Sequence, residues 1–325
     1  MKAAIVTATG VAIRDVPEPT PKPNEVLVRV RTAALNRADL TVASGQRHGA
    51  IGGPGTIIGM EFAGEVAAVG AEVPGDIVVG QRVMASGAGG YAEYAIADWG
   101  RVAPIPGGNT SDTVAATLPV ALQTMHDAVV TNGRLVAGET VLIQGASSGV
   151  GLMGMQIAKL MGAARVFGSS SNAGRRARLA EFGADLAIDT ADPAWPDAVL
   201  AATDGNGVDL IVDQVSASVA NGNLRAAKIL GRIINVGRLG GAKGEFDFDL
   251  HALRRISYIG VTFRTRSLDE VREITRRMRA DLGPAIEAGT LRLPIDRTYP
   301  LAAAAEALAH MKANRHFGKI VLLMD

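Results

Sequence analysis

Apolar positions fall in three different textures along the chain. Up to about residue 118 they come in short alternating runs, such as Glu25-Val26-Leu27-Val28-Arg29-Val30, broken by Gly and Pro. That pattern predicts short strands in an irregular β domain. From about 119 to 261 the runs become continuous and alternate with helical spacing. Strands are predicted at Thr140–Gln144, Arg165–Gly168, Leu186–Ile188, Val208–Asp213, Arg232–Val236 and Ser257–Val261. Helices are predicted at Leu152–Met161, Arg175–Glu181 and Asn221–Leu230. Strand and helix in alternation imply an α/β unit with a doubly wound, mainly parallel sheet. The tail predicts a long charged helix near Leu268–Ala288, an alanine-rich helix near 301–312 and a last strand, Gly318–Leu323.

Composition narrows the class. The 325 residues carry 33 Lys and Arg against 32 Asp and Glu, so no net field favours nucleic acid or an acidic membrane. The chain has no cysteine, which removes disulfides, thiolate zinc sites and a cysteine nucleophile together. Apolar runs are too short for a membrane span, and Met1–Val6 reads as a strand without the apolar region of a signal peptide. The expectation is a soluble, cytoplasmic protein with a small-molecule substrate and neither nucleic acid nor membrane as partner.

The chemistry concentrates after the strand Thr140–Gln144. Gly145-Ala146-Ser147-Ser148-Gly149-Val150-Gly151 forms a GxxxGxG turn that opens an apolar helix. Backbone N–H groups at such a helix start face a pyrophosphate, and small residues let it approach. Strict GxGxxG would have its middle glycine where Ser148 stands. An NAD site places an acid near the end of the second strand to accept the ribose 2′-OH. Residues 140–180 contain no Asp or Glu; that strand ends instead in Ser169 and Ser170, with Arg175 and Arg176 following. Hydroxyls and guanidinium groups suit a 2′-phosphate, which favours NADP(H). Arg178 reads as a solvated helix face. Short-chain dehydrogenases share the turn, but theirs lies near the N-terminus and is followed by Tyr-x-x-x-Lys, which is absent here.

Several landmarks in order extend the pattern over the whole chain: Ala34-Leu35-Asn36-Arg37-Ala38-Asp39-Leu40, Gly59-Met60-Glu61-Phe62-Ala63-Gly64, Gly89-Gly90-Tyr91-Ala92-Glu93-Tyr94, Phe263-Arg264-Thr265-Arg266-Ser267 and Gly318-Lys319-Ile320-Val321. With these the chain resembles the zinc-free quinone oxidoreductase branch of the medium-chain dehydrogenase/reductase superfamily. Within it, the likeness is greatest to the p53-inducible NADPH quinone oxidoreductase type. The resemblance implies a GroES-like domain (1–118, completed by 262–325), a Rossmann domain (119–261) and an active site in the cleft between them. Zinc-dependent relatives have Cys and His where this chain has Asn36 and Met60, so the resemblance implies no metal. It implies hydride transfer from NADPH to a quinone, with an enone or enoyl double bond, or NADPH sensing without catalysis, as alternatives.

By the same resemblance, Asn36, Tyr91 and Thr124 would line the reaction centre. Val236 and Gly237 would pass the nicotinamide, Phe263 and Arg264 would lie near the cleft, and Lys319 would face the pyrophosphate. Each also has a plainer reading. Asn36 suits a helix cap, Tyr91 a core position, Thr124 a helix-packing position and Lys319 a surface ion pair. His126, two residues beyond Thr124, suits helix packing better than general acid. Asp189 stands where relatives place a tyrosine over the adenosine and would oppose a 2′-phosphate. A homodimer is expected through an edge strand at Ser257–Phe263.

Overall fold

The computed structural model describes residues 1–107 and 110–324. The chain divides into two compact units, Met1–Val120 with Phe263–Asp325, and Ala121–Thr262.

The first unit is built on a seven-stranded sheet. Its path runs Ile295–Pro300, Lys319–Leu323, Glu25–Ala34, Glu61–Val69, Arg82–Ser86, Val102–Pro104, with Tyr94–Asp98 also paired to Glu25–Ala34. The pairings are antiparallel except that of Ile295–Pro300 with Lys319–Leu323. Glu25–Ala34 is the hub. Its alternating residues Val26, Val28 and Val30 enter a core with Phe62, Val66 and Val83, to which the returning tail adds Leu308, Ile320 and Leu322. The charged helix Leu268–Glu287 begins with Ser267 accepting the Glu270 N–H while the Glu270 carboxylate accepts the Ser267 N–H. This reciprocal cap satisfies two otherwise orphaned donors. The helix is tied to the unit by Arg272, which reaches both oxygens of Asp98 at 2.9 and 2.7 Å.

The second unit is a six-stranded parallel sheet in the order Leu186–Ile188, Arg165–Ser169, Thr140–Gln144, Val208–Asp213, Ala227–Asn235, Ser257–Gly260. Numbered within the unit this is 3-2-1-4-5-6, the doubly wound order whose reversal between the first and fourth strands marks a ligand crevice. Leu142, Ile211 and Ile233 are completely buried, as strands covered on both faces require. Two predicted elements are revised. The helix expected over Asn221–Leu230 spans Ala220–Ala226, because Ala227 already pairs with Val208 and starts the fifth strand. That strand is irregular at Leu230, which has φ 66°, and its register shifts there. The helix expected over Arg175–Glu181 is a single turn, Ala173–Arg176, followed by a 3-10 turn, Leu179–Phe182. Ser257–Gly260 lies at the sheet edge. Among the described residues no helix is long and apolar enough to cross a membrane.

Candidate cofactor site and a buried charged cluster

The glycine turn is assembled by its own short side chains. Gly145 sits at φ 70°, and a Cβ on Gly151 would lie 2.6 Å from the Gly145 carbonyl oxygen and 2.7 Å from Ala146 Cα. Only glycine lets the helix start press so closely on the strand end. Ser148 caps the helix Gly149–Leu160 by accepting the Gly151 N–H at 3.0 Å. Ser147 and Ser170 share a hydroxyl contact of 3.1 Å. This helix start, with its close-packed glycines and an uncharged hydroxyl rim, fits a dinucleotide pyrophosphate.

Ser169 has a different place from the one expected. Its hydroxyl donates to Gln144 Oε1 at 2.6 Å and accepts the Gly145 N–H at 3.0 Å, and the residue is buried behind the turn. It therefore braces the turn and has no hydroxyl to offer a 2′-phosphate. Ser170 is also buried, beside the expected rim, with its hydroxyl on Ser147 Oγ and accepting the Asn172 N–H at 3.3 Å. Arg176 holds the Ser170 carbonyl at 3.0 Å and pairs with Asp189 at 2.8 Å, so the acid expected to oppose a phosphate is neutralised by a guanidinium. Arg175 is half-buried on the same turn, with its N–H on Asn172 Oδ1. Val236 and Gly237 both donate their N–H to the Asp213 carbonyl, at 2.7 and 3.2 Å. Thr124 is half-buried on the helix Pro119–His126.

In the first unit, Asn36, Tyr91 and Lys319 come together with two acids that sequence reading passed over, Asp39 and Glu61. The Lys319 ammonium donates to Leu35 O and Asn36 Oδ1, each at 3.0 Å, and to Glu61 Oε1. Asn36 Nδ2 donates to the same Glu61 oxygen at 2.9 Å, and the other Glu61 oxygen accepts the Val120 N–H at 2.8 Å. Lys319 is 3% exposed and its three hydrogens are all committed, which takes it away from a pyrophosphate. Asn36 is a helix cap by backbone only; Asp39 accepts its N–H at 2.7 Å while its amide joins the cluster.

Tyr91 is completely buried and donates to Asp39 Oδ2 at 2.7 Å, so it is a core member of this cluster and not an exposed wall or proton donor. Gly59 makes room for it, since a Cβ there would fall 2.5 Å from the tyrosine ring. Burial lifts the Asp39 carboxyl from its ordinary 3.8 to about 7, outweighing the Asn36 N–H, Tyr91 and Lys319. Burial, then the nearby Asp39 carboxylate, pushes the Tyr91 hydroxyl well above its usual range. The signal that could have found both acids is their place within the Asn36 and Gly59 landmarks. Phe263 and Arg264 belong to this unit, where the Phe263 ring lies 5.9 Å from the Arg266 guanidinium.

Comparison with known proteins matches two segments of the chain. Residues 22–107 match the alcohol dehydrogenase GroES-like domain, and residues 149–279 match the zinc-binding dehydrogenase family. Among solved structures, an NAD-dependent alcohol dehydrogenase is 30% identical, with full coverage of both chains and a TM-score of 0.86. A mycobacterial quinone oxidoreductase is 28% identical over 99% of both chains (TM-score 0.87), and a mycobacterial protein complexed with NADPH is 28% identical over 99% and 100% (TM-score 0.88). A phenolphthiocerol/phthiocerol polyketide synthase of Mycobacterium tuberculosis is 31% identical over 95% of this chain. The chain spans 14% of the length of that relative.

The zinc named in one of these families does not fit the residues present. Asn36 and Met60 offer an amide and a thioether, and Glu61 and Asn36 Oδ1 already hold an ammonium. A second cation there would meet Lys319 first.

Proposed function

The chain belongs to the medium-chain dehydrogenase/reductase superfamily, and from that premise we propose that it is an NADPH-dependent, zinc-free reductase of quinones. The observation that carries the cofactor half is the rim of the glycine turn. The nearby acid Asp189 is paired to Arg176, and Ser170, Arg175 and Arg176 lie just past the end of the second strand. A 2′-phosphate meets hydroxyl and guanidinium groups there, with the Asp189 charge already answered. The NADPH complex of a related mycobacterial protein supports the same choice.

NADPH, when bound, supplies a hydride, and a conjugated acceptor needs no Lewis acid because its negative charge spreads onto oxygen. The protein's own part is to grip the pyrophosphate at Gly145–Gly151 and to hold the acceptor against the nicotinamide. Asn36 and Thr124 are the side chains we assign to the acceptor's surroundings. Val236, Gly237, Phe263 and Arg264 are assigned to the cofactor's.

The quinone reading draws on the mycobacterial quinone oxidoreductase. A second reading, reduction of a carbon–carbon double bond in an acyl thioester, draws on the match of nearly the whole chain to a stretch of a polyketide synthase. The two separate in one assay. NADPH and NADH oxidation are followed with an ortho-quinone and with an enone in the same buffer. Faster turnover of NADPH with the quinone is expected. Preference for the enone would move the assignment to double-bond reduction, and preference for NADH would sink the cofactor argument. Tight NADPH binding without turnover of either would indicate a sensor. We further propose a homodimer in which Ser257–Gly260, with its open edge, meets its copy; a monomer in sizing at micromolar concentration would refute it.

A further inference from the structure

Four adjacent strands of the parallel sheet end on polar residues: Ser169, Gln144, Asp213 and Asn235. All but Asn235 are buried, and hydrogen bonds link them, through Asn223 and Ser216, across the point where the strand order reverses. The Gly145 N–H donates to Ser169 Oγ at 3.0 Å, and the Ser169 hydroxyl donates to Gln144 Oε1 at 2.6 Å. Gln144 Nε2 donates to Asn223 Oδ1 at 2.7 Å, and Asn223 Nδ2 donates to Asp213 Oδ2 at 2.9 Å. The other Asp213 oxygen accepts the N–H groups of Val215 and Ser216 at 2.7 and 2.9 Å.

The direction of this chain is forced. It starts on a backbone N–H, which can only donate, and ends on a carboxylate, which when ionised can only accept. Between them the serine hydroxyl and the two amides have a single orientation that leaves no partner unmatched. Reversing any one would set two donors or two acceptors face to face at a fully buried position.

Beyond Asp213 the chain continues to a strained turn. Ser216 has φ 66° and ψ −125°, a conformation costly for any residue with a side chain. The Asp213 carboxylate fixes its N–H, while its hydroxyl donates to the Gly237 carbonyl and accepts from Asn235 Nδ2. A dinucleotide lies across the carboxyl ends of such a sheet, one half on each side of the reversal. The glycine turn serves one side and the Ser216–Gly237 turn the other. Neither Gln144 nor Asn223 is placed to touch a ligand, since both are completely buried.

We propose that Gln144, Asn223 and Asp213 are positioning residues that hold the two turns of the cofactor platform in register, so that both halves of the dinucleotide are gripped together. This rests on the cofactor reading above. The test measures binding of NADPH and of its fragment lacking nicotinamide, 2′-phospho-ADP-ribose, to the full chain. Asn223→Leu keeps the branching and heavy-atom count of the side chain but leaves Gln144 Nε2 and Asp213 Oδ2 without partners. The expected result is at least tenfold weaker NADPH binding with less than threefold loss for the fragment. Val199→Ala, a cavity in the core of the same unit, controls for destabilisation, and its two losses should be equal. Equal losses in Asn223→Leu would overturn the proposal, because they would mark general damage and not lost register. If Asn223→Leu does not fold, Asn223→Ser decides by the same ratio. Wild-type protein that binds neither ligand would overturn the cofactor reading, and with it this one.

Discussion

Two buried polar assemblies, one in each unit, keep polar groups away from water by opposite means. The cluster around Lys319 in the first unit uses formal charge: an ammonium and two acids, with Asn36 and Tyr91 between them. The chain under the parallel sheet uses neutral amides and a hydroxyl, ending on a single acid. Their acids differ accordingly. Asp213 has three donors shared over both oxygens, and burial still raises its carboxyl above the ordinary value. Asp39 has two donors on one oxygen, none on the other, and is lifted to about 7. The charged assembly is therefore the more sensitive to charge removal and to pH, whereas the amide assembly depends above all on direction.

The largest expected effect breaks the charged assembly. Lys319→Met leaves Glu61 buried without a counter-ion, and a loss of about 3–5 kcal/mol is expected in denaturant unfolding. Adding Glu61→Leu should recover at least half of it, since removing both charges costs less than removing one. A double variant as unstable as the single would show that the pair acts through something other than charge.

A smaller effect probes the neutral side. Gly151→Ala drives a methyl against the Gly145 carbonyl, so the turn must open. NADPH affinity should fall about tenfold, or ~1.4 kcal/mol, by fluorescence titration. Unchanged affinity would mean that the turn does not carry the pyrophosphate.

The subtlest effect sharpens the contrast in pH. A carboxyl whose folded pKa lies above its unfolded one binds its proton more tightly in the native state. The contribution of Asp39 to stability is thus fully present below its unfolded 3.8 and is lost as pH rises through about 7. Asp39→Asn should gain stability relative to the wild type as pH rises from about 4 to about 7, with the difference levelling off above that. Parallel stability profiles for the two proteins over this range would refute it.

The two assemblies were not equally legible in the sequence. Each strand of the parallel sheet announces itself by a continuous apolar run, and the glycine turn by its spacing, because both signals are local. Yet Ser169, Gln144 and Asp213 sit at strand ends whose polar residues look like ordinary loop starts. Their partnership depends on strand order, which no local pattern encodes. The Lys319 cluster is harder still: Lys319 and Glu61 are 258 positions apart, Asp39 and Tyr91 are 52 apart. Resemblance brought Asn36, Tyr91 and Lys319 to notice, but gave no sign that they share one buried cluster. The overextended helix at Asn221–Leu230 failed for a related reason. Lys228, Ile229 and Leu230 are exposed, so their burial pattern gives no strand alternation, and pairing with Val208–Asp213 decides their conformation.

The strand Lys319–Leu323 also sets an order of events during synthesis. It pairs with Glu25–Ala34, yet it leaves the ribosome after the whole of Ala121–Thr262. The parallel-sheet unit is contiguous and can close while translation continues. The first unit must wait, its Glu61 carboxylate without the lysine that neutralises it, until Lys319 emerges. A nascent chain therefore carries one finished half and one open half, and the open half is the one that a chaperone would have to shelter.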